Sequence, residues 1–372
     1  MNRPHDSRRE TAFPPPARAL WEITARCDLR CDHCLIDGGA ARDDELTTAE
    51  ALDLVDQLAA LGVGAVSLTG GEPLLRDDWP LLARRIRERG MILRISSNGH
   101  RLDDATLSTL AGLGCELFTL SVDGLEATHD RVRHGPRGAG GRSSFRRVVA
   151  ALERLRGSPI RSEAITAGGR HNLRELPAIH ALLKGLGVSM WMIQLAHRTG
   201  RMARPGPAQD AVGPLTLGEL LEVERFIVAA SEDPALQPIA HNSVGYMSRH
   251  EPTLRSSGRK GPARFWKGCA CGVSSVGLGP DGSVKGCANQ IGAAFVVGNV
   301  RAEPLRAIWE DRARWHWLSP PPERMTGSCA GCALAAICQA GCTALAHSAT
   351  GGCFENPYCL RRAHGGGDGA RA

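Results

Sequence analysis

Three cysteines lie within eight residues in the stretch Cys27-Asp28-Leu29-Arg30-Cys31-Asp32-His33-Cys34. Their spacing, C-x3-C-x2-C, follows an apolar run that ends near Thr24 and predicts a strand, so the cysteines occupy the loop after it. Cube-shaped iron–sulfur clusters usually take four thiolates, one for each iron. Three cysteines therefore predict a cluster with one iron left open to another ligand.

Working outward from this loop, short apolar runs alternate with amphipathic stretches, as in βα units around a parallel sheet. Thr47-Thr48-Ala49-Glu50 predicts a capping box, and Asp103 and Asn172 are predicted helix N-caps. Six strands are predicted, at residues 19–24, 65–69, 91–96, 117–122, 161–166 and 188–195. A closed barrel has eight βα units, and only six are predicted here. The expected fold is therefore α/β, a partial (β/α)6 TIM-like barrel with one open side.

Polar stretches follow the second, third and fourth predicted strands, where a parallel barrel builds its active site. They are Thr69-Gly70-Gly71-Glu72-Pro73, Ser96-Ser97-Asn98-Gly99 and Ser121-Val122-Asp123-Gly124. Each would be an ordinary turn in isolation. Their order along successive strands, after the cysteine loop, indicates one shared site.

The cysteine triad with the Gly-Gly-Glu-Pro loop resembles the radical S-adenosylmethionine (SAM) superfamily. The resemblance implies that the amino and carboxylate groups of SAM bind the open iron, and that cleavage of SAM yields a 5′-deoxyadenosyl radical, which abstracts hydrogen from a substrate. It implies Cys27, Cys31 and Cys34 as iron ligands. It further implies SAM contacts from Gly70, Gly71 and Glu72 to the methionyl amino group, from His33 near the adenine, and from Ser97, Asn98, Ser121, Asp123 and Arg133.

A second group of cysteines lies toward the C-terminus. Cys269 and Cys271 precede the turn Gly279-Pro280-Asp281-Gly282 and Cys287, and Cys329-x2-Cys332-x5-Cys338-x3-Cys342 follows, with Cys353 and Cys359 beyond. This pattern resembles the SPASM domain, the cysteine-rich auxiliary-cluster extension of many radical enzymes. It implies two four-iron clusters: one would use Cys269 or Cys271 or both with Cys287 and Cys342, and the other Cys329, Cys332, Cys338 and either Cys353 or Cys359, of which Cys359 lies at the more family-like distance.

The expected domains are a disordered tail at 1–17, the barrel at 18–204, a linker with one helix at 205–265, the SPASM domain at 266–363 and a disordered tail at 364–372. Cys115 and Trp191 are predicted core residues. His129, His134, His171 and His180 are predicted surface groups.

Composition excludes several classes of protein. The 372 residues carry a net charge of +6, with basic and acidic residues interspersed, so no nucleic-acid partner is expected. No apolar run is long enough to span a membrane and the N-terminus lacks a secretion signal, which predicts a cytoplasmic protein. In the reducing cytoplasm, a chain with thirteen cysteines is expected to bind metal with them and not to form disulfides. A non-catalytic zinc-binding interaction module is one alternative.

The leading functional hypothesis is a radical SAM peptide maturase that forms a thioether, a carbon–carbon crosslink or an epimer. Its partners would be a precursor peptide, an electron donor such as flavodoxin or ferredoxin, and a separate leader-binding protein, since about seventeen residues precede Arg18. The alternative is a dehydrogenase or decarboxylase of a small molecule. Ala288 stands where sulfatase maturases carry an acidic base, which disfavours that activity. No catalytic residue is predicted, because a base is defined by its geometry against the substrate.

Overall fold

One sheet organises the computed structural model, which describes residues 14–135, 143–204, 206, 212–255, 264–318 and 320–365. Its strands are β1 Arg18–Thr24, β2 Ala65–Gly70, β3 Ile92–Ser97, β4 Leu117–Ser121, β5 Arg161–Gly168, β6 Met190–Leu195, β7 Pro238–Ala240, β8 Ser275–Leu278, β9 Ser283–Lys285 and β10 Gly298–Asn299. The order is β10-β9-β8-β1-β2-β3-β4-β5-β6-β7. Neighbours from β1 to β7 are parallel, which confirms the predicted partial barrel of βα units.

Helices follow the strands in the alternating order predicted. They are α1 Thr48–Leu61, α2 Trp79–Glu88, α3 Asp104–Gly112, α4 Glu126–Val132, α5 Ser144–Leu155, α6 Leu176–Gly185, α7 Leu217–Ala230, α8 Glu251–Arg255, α9 Leu305–Glu310, α10 Ala335–Cys338, α11 Thr343–Thr350 and α12 Leu360–Ala363. The capping box of α1 is confirmed, since the Thr47 hydroxyl accepts from Glu50 N and the Glu50 carboxylate accepts from Thr47 N. Asp103 also caps its helix, accepting from Thr106 N at 2.8 Å.

Asn172 occupies the predicted N-cap position, before the short 3-10 helix Leu173–Glu175, but its side chain makes no capping hydrogen bond there. Its side-chain amide donates instead to the carbonyl oxygens of Asp123, at 3.0 Å, and Ala167, at 3.1 Å. The residue is fully buried, so its amide is used to satisfy backbone groups at the ends of β4 and β5.

The core lies between the sheet and the surrounding helices. On β1, Trp21 and Ile23 are fully buried in this core, whereas Glu22 between them lines a cavity on the other face of the sheet. This alternation follows from the two-residue period of a strand. Cys115 and Trp191 also belong to the core, as predicted.

The segment at 205–265 is more than the linker predicted for it. Besides α7 it contributes β7, which pairs with β6 and extends the parallel sheet. The strand has only three residues and begins with Pro238, so it leaves no periodic pattern in the sequence. The sheet also continues into the cysteine-rich region, where β8 pairs in parallel with β1.

Both predicted tails extend into the folded part of the chain. Residues 1–13 and 366–372 lie outside the described residues, but Pro14 O accepts a hydrogen bond from Trp309 Nε1 and His364 Nε2 lies 2.6 Å from Glu224 Oε2. Pro14 and His364, which the predicted tails include, therefore contact the folded part of the chain. Within the described part of the chain, no helix is long and apolar enough to cross a membrane.

Candidate active site

The cysteine loop lies at the carboxyl end of β1, beside the segment that follows α4. Arg30 N donates to His134 O and Asp32 N to Val132 O, which holds the loop in place. Cys27, Cys31 and Cys34 all line one cavity of about 210 Å³. The three predicted ligands are thus brought together.

These thiols fit a bound cluster by their chemistry. Burial raises the pKa of Cys27 to about 12 and that of Cys31 to about 11, so without a metal both would stay protonated at neutral pH. Iron binding requires thiolates and supplies the positive charge that stabilises them.

The loop after β2 that contains Gly70 and Gly71, the glycine loop, approaches the cysteine loop so closely that no side chain fits at these two positions. A Cβ atom on Gly70 would lie 2.3 Å from Thr24 O, and one on Gly71 would lie 2.2 Å from Arg26 O. Both glycines line the cavity. Their missing side chains allow the ends of β1 and β2 to approach each other.

Glu72 lies behind the cavity wall and is fully buried. Its carboxylate accepts hydrogen bonds from Ser97 Oγ at 2.9 Å, from Asn98 N at 2.8 Å and from Leu74 N at 3.1 Å. Burial raises its pKa to about 7, outweighing these bonds, which act in the opposite direction. In this structure Glu72 ties the loop after β2 to the loop after β3.

Among the other predicted SAM contacts, the structure separates two layers. His33, Ser97, Asn98, Ser121 and Arg133 line the cavity with the cysteines. Asp123 is fully buried behind them, where it accepts from Ala167 N at 2.7 Å.

Asp123 contacts both a basic side chain and a histidine of the site. Its carboxylate bonds Arg133 and lies 2.9 Å from His33 Nε2. Although burial acts to raise it, the pKa of Asp123 is held well below its usual range by Arg133 and His33. Arg133 also reaches Cys31, with Nη1 3.8 Å from Sγ.

His129 corrects the prediction that it is a surface group. It is 1% exposed, and its Nδ1 accepts from Asp123 N at 3.2 Å. Burial, aided by the positive charge of Arg133, lowers its pKa to about 3, so the imidazole is neutral.

Several cavity residues were not singled out in the sequence. Among them, Gln194 and His197 come at the end of β6, and Asn289 follows Ala288 after Cys287. His197 is buried, burial lowers its pKa to about 4, and its Nδ1 has no hydrogen-bond partner among the described residues. The strand-end rule used for β2 to β4 would have identified Gln194 and His197. The residues after Cys287 were connected with the active site only through the resemblance that compared Ala288 with the base of sulfatase maturases.

Cys269, Cys271, Cys287 and Cys342 form the first auxiliary group. The Cys269 thiol is hydrogen-bonded to Cys271 and Cys342, and Cys271 also to Cys287. Both Cys269 and Cys271 therefore belong to this group. Because Ala288 and Asn289 line the barrel cavity, this group lies next to the active site.

Cys329, Cys332, Cys338 and Cys359 form the second auxiliary group. They line a separate cavity of about 300 Å³. Cys353 does not line this cavity, and it interacts electrostatically with Cys269 of the first group instead. Among the described residues, no three His, Cys, Asp or Glu side chains are arranged to hold a single metal ion.

Comparisons with known proteins agree with this arrangement. The model of the Radical SAM superfamily matches residues 21–183, and that of the SPASM iron–sulfur cluster-binding domain matches residues 269–333. An AdoMet-dependent heme synthase of Methanosarcina barkeri is 30% identical over 359 residues, covering 93% of this chain and 97% of that protein. The mycofactocin maturase MftC of Mycobacterium ulcerans is 28% identical over 339 residues, covering 90% and 85%.

A solved structure of similar fold is anSMEcpe with bound AdoMet. It has a TM-score of 0.70 at 16% identity, over 94% of this chain and 95% of that one. The two matched domains imply SAM and four-iron clusters as cofactors. This chain is an enzyme that belongs to the radical SAM superfamily, in the group that carries a SPASM domain.

Proposed function

We propose that this protein is an oxidoreductase that removes a hydrogen atom from a substrate at the barrel cavity and passes an electron to the first auxiliary group. The observation that carries the proposal is the shared cavity. It joins Cys27, Cys31 and Cys34 to Ala288 and Asn289, which directly follow Cys287. A substrate there would lie between the SAM-cleaving site and an electron acceptor.

The proposed ligands follow the groups described above. Cys27, Cys31 and Cys34 would hold the cluster that supplies the electron for SAM cleavage. Gly70, Gly71 and the polar residues of the cavity wall would bind SAM, with Glu72 and Asp123 positioning them. The two auxiliary groups of four cysteines would each hold a fully ligated cluster, which leaves Cys353 without a ligand role.

For the substrate, we infer a carboxylate-bearing small molecule of the kind from which hemes are made. The heme synthase of M. barkeri matches this chain over nearly the full length of both proteins. Arg26, Arg30 and Arg198 are exposed next to cavity residues, and guanidinium groups bind carboxylates well. The cavity of about 210 Å³ is smaller than a site that encloses a whole ligand. Most of the substrate would therefore lie outside the cavity, at the rim formed by these exposed arginines.

A peptide substrate is the second candidate, favoured by the similarity to mycofactocin maturase. It would keep the partners expected from the sequence, namely a precursor peptide, a reductant protein and a separate leader-binding protein. A substrate that lies mostly at the rim of the cavity can be an extended peptide as well as a porphyrin ring.

The test uses the reconstituted enzyme with SAM and dithionite, and measures 5′-deoxyadenosine and the mass of each candidate substrate. We expect a carboxylate-bearing iron porphyrin to accelerate deoxyadenosine formation and to lose mass. In Arg198→Gln the KM for the porphyrin should rise about tenfold, the loss of one charge-assisted hydrogen bond, while cleavage of SAM without substrate stays unchanged. Stimulation by a precursor peptide alone, with no change in the porphyrin, would establish the second candidate instead.

A further inference from the structure

An arginine contacts the second auxiliary group. Arg361, in α12, lies two residues after Cys359 and lines the same cavity as the four cysteines. Its guanidinium Nη1 donates to Cys332 Sγ at 3.8 Å. No role in the proposed function requires this contact.

The first auxiliary group has a different environment. The Cys269 thiol receives its hydrogen bonds from Cys271, Cys342 and Thr343. Two buried cations lie on neighbouring segments, and each is paired with a carboxylate: Lys285 with Glu22 at 3.2 Å, and Arg255 with Glu251 at 2.8 Å.

The two groups also differ in their access to solvent. In the first, Cys271 and Cys342 are buried, whereas all four cysteines of the second are partly exposed. The second group therefore lies nearer the surface, and the first lies nearer the substrate cavity.

We propose that Arg361 raises the reduction potential of the cluster held by Cys329, Cys332, Cys338 and Cys359, so that an electron received at the first auxiliary group moves outward to the second. Reduction adds one negative charge to a cluster, and a hydrogen bond from a cation to a thiolate stabilises that charge. The step transfers one electron between two clusters and makes or breaks no bond. Arg361 acts through Cys332 and is a positioning residue. The inference rests on the proposed ligand set.

The test is a redox titration of the reconstituted full-length enzyme, followed by electron paramagnetic resonance. The Cys27→Ala, Cys31→Ala, Cys34→Ala variant, which retains only the auxiliary sites, assigns the signals. Arg361→Gln should lower the midpoint potential of one auxiliary cluster and leave the other unchanged. Arg361→Lys keeps the charge and should preserve most of the potential.

Arg362→Gln is the matched control. Arg362 is the next residue, is exposed and lines the same cavity, and its substitution should leave both potentials unchanged. The inference is overturned if Arg361→Gln leaves both potentials unmoved, or if Arg362→Gln shifts one equally. It is also overturned if Arg361→Gln loses about four iron atoms, because the arginine would then hold the cluster. Unchanged iron content in Cys359→Ser would instead disprove the ligand set.

Discussion

At the scale of single residues, backbone proximity decides the site as much as the side chains do. Gly71 lies against the carbonyl oxygens of Arg26, at 2.2 Å, and Ala25, at 2.6 Å, measured from the position a Cβ would occupy. Neither oxygen can move without displacing the cysteine loop. The distance between the two loops proposed to bind SAM and iron therefore depends on the absence of one methyl group.

Gly71→Ala should push the glycine loop away from the cysteine loop. We expect a loss of stability of more than about 1 kcal/mol and about a 100-fold fall in 5′-deoxyadenosine formation, as for a catalytic group displaced by about 1 Å. Gly112→Ala in α3 is the control, because nothing lies within 4 Å of the position its Cβ would take and it should keep full activity. Normal activity in Gly71→Ala would contradict the close approach.

The Glu72 carboxyl should make stability depend on pH. Its pKa is raised from 4.5 to about 7 in the folded protein, so the folded state holds the proton more tightly than the unfolded state. The stability that this proton provides is complete below pH 4.5 and is lost as the pH rises through 7. Relative to Glu72→Gln, the wild type should lose about 3 kcal/mol between these limits. Thermal unfolding at pH 5.5 and 8 without SAM tests this, and a pH-independent difference between the two proteins would contradict it.

At the scale of elements, a buried ion pair joins the barrel to the cysteine-rich region. Lys285 on β9 lies 3.2 Å from Glu22 on β1, and both side chains are less than 10% exposed. Burial acts to raise the pKa of Glu22, and the charge of Lys285 opposes this. The pair therefore helps to fix the register between the two parts of the sheet.

Lys285→Met should leave the Glu22 carboxylate buried without a partner. We expect a loss of about 3–5 kcal/mol in stability, much of it regained in the Glu22→Gln, Lys285→Met double variant. Arg146→Met breaks the exposed pair with Glu126 and should cost less than about 1 kcal/mol. Urea unfolding of the four proteins forms the comparison. Equal losses for Lys285→Met and Arg146→Met would show that burial does not govern this pair.

At the scale of the whole molecule, three cysteine groups extend from the barrel cavity toward the surface. The cavities of about 210 Å³ and about 300 Å³ lie in different parts of the chain, with the first auxiliary group next to the first of them. Cysteines that are far apart in sequence, such as Cys269 and Cys342, meet there. Cluster binding should therefore couple to folding of the cysteine-rich region.

Iron content distinguishes Cys359 from Cys353. The wild type should bind about twelve iron atoms per chain, and Cys359→Ser about eight. Cys353→Ser is the matched control and should keep about twelve, because Cys353 lies outside the cavity of the second group. The reverse result would exchange their roles.

The sequence by itself determined the partial barrel, the cysteine triad, the Gly-Gly-Glu-Pro loop and the cysteine-rich domain. These features are local: strand periodicity, capping residues such as Asp103 and cysteine spacing each depend on a few neighbouring residues. The cofactors were implied by the family resemblance that these motifs carry. The ligand sets within the second cysteine group stayed open at that level.

Only the tertiary structure decided what depends on contacts between distant segments. It placed Cys359 and not Cys353 with Cys329, brought Ala288 and Asn289 to the barrel cavity, and buried His129 and His197. It also directed the side-chain amide of the N-cap residue Asn172 to the carbonyl oxygen of Asp123, and it added β7 to the sheet. The physical reason is that burial, pKa and hydrogen-bond partners are set by the whole packed environment, which spacing along one chain does not contain.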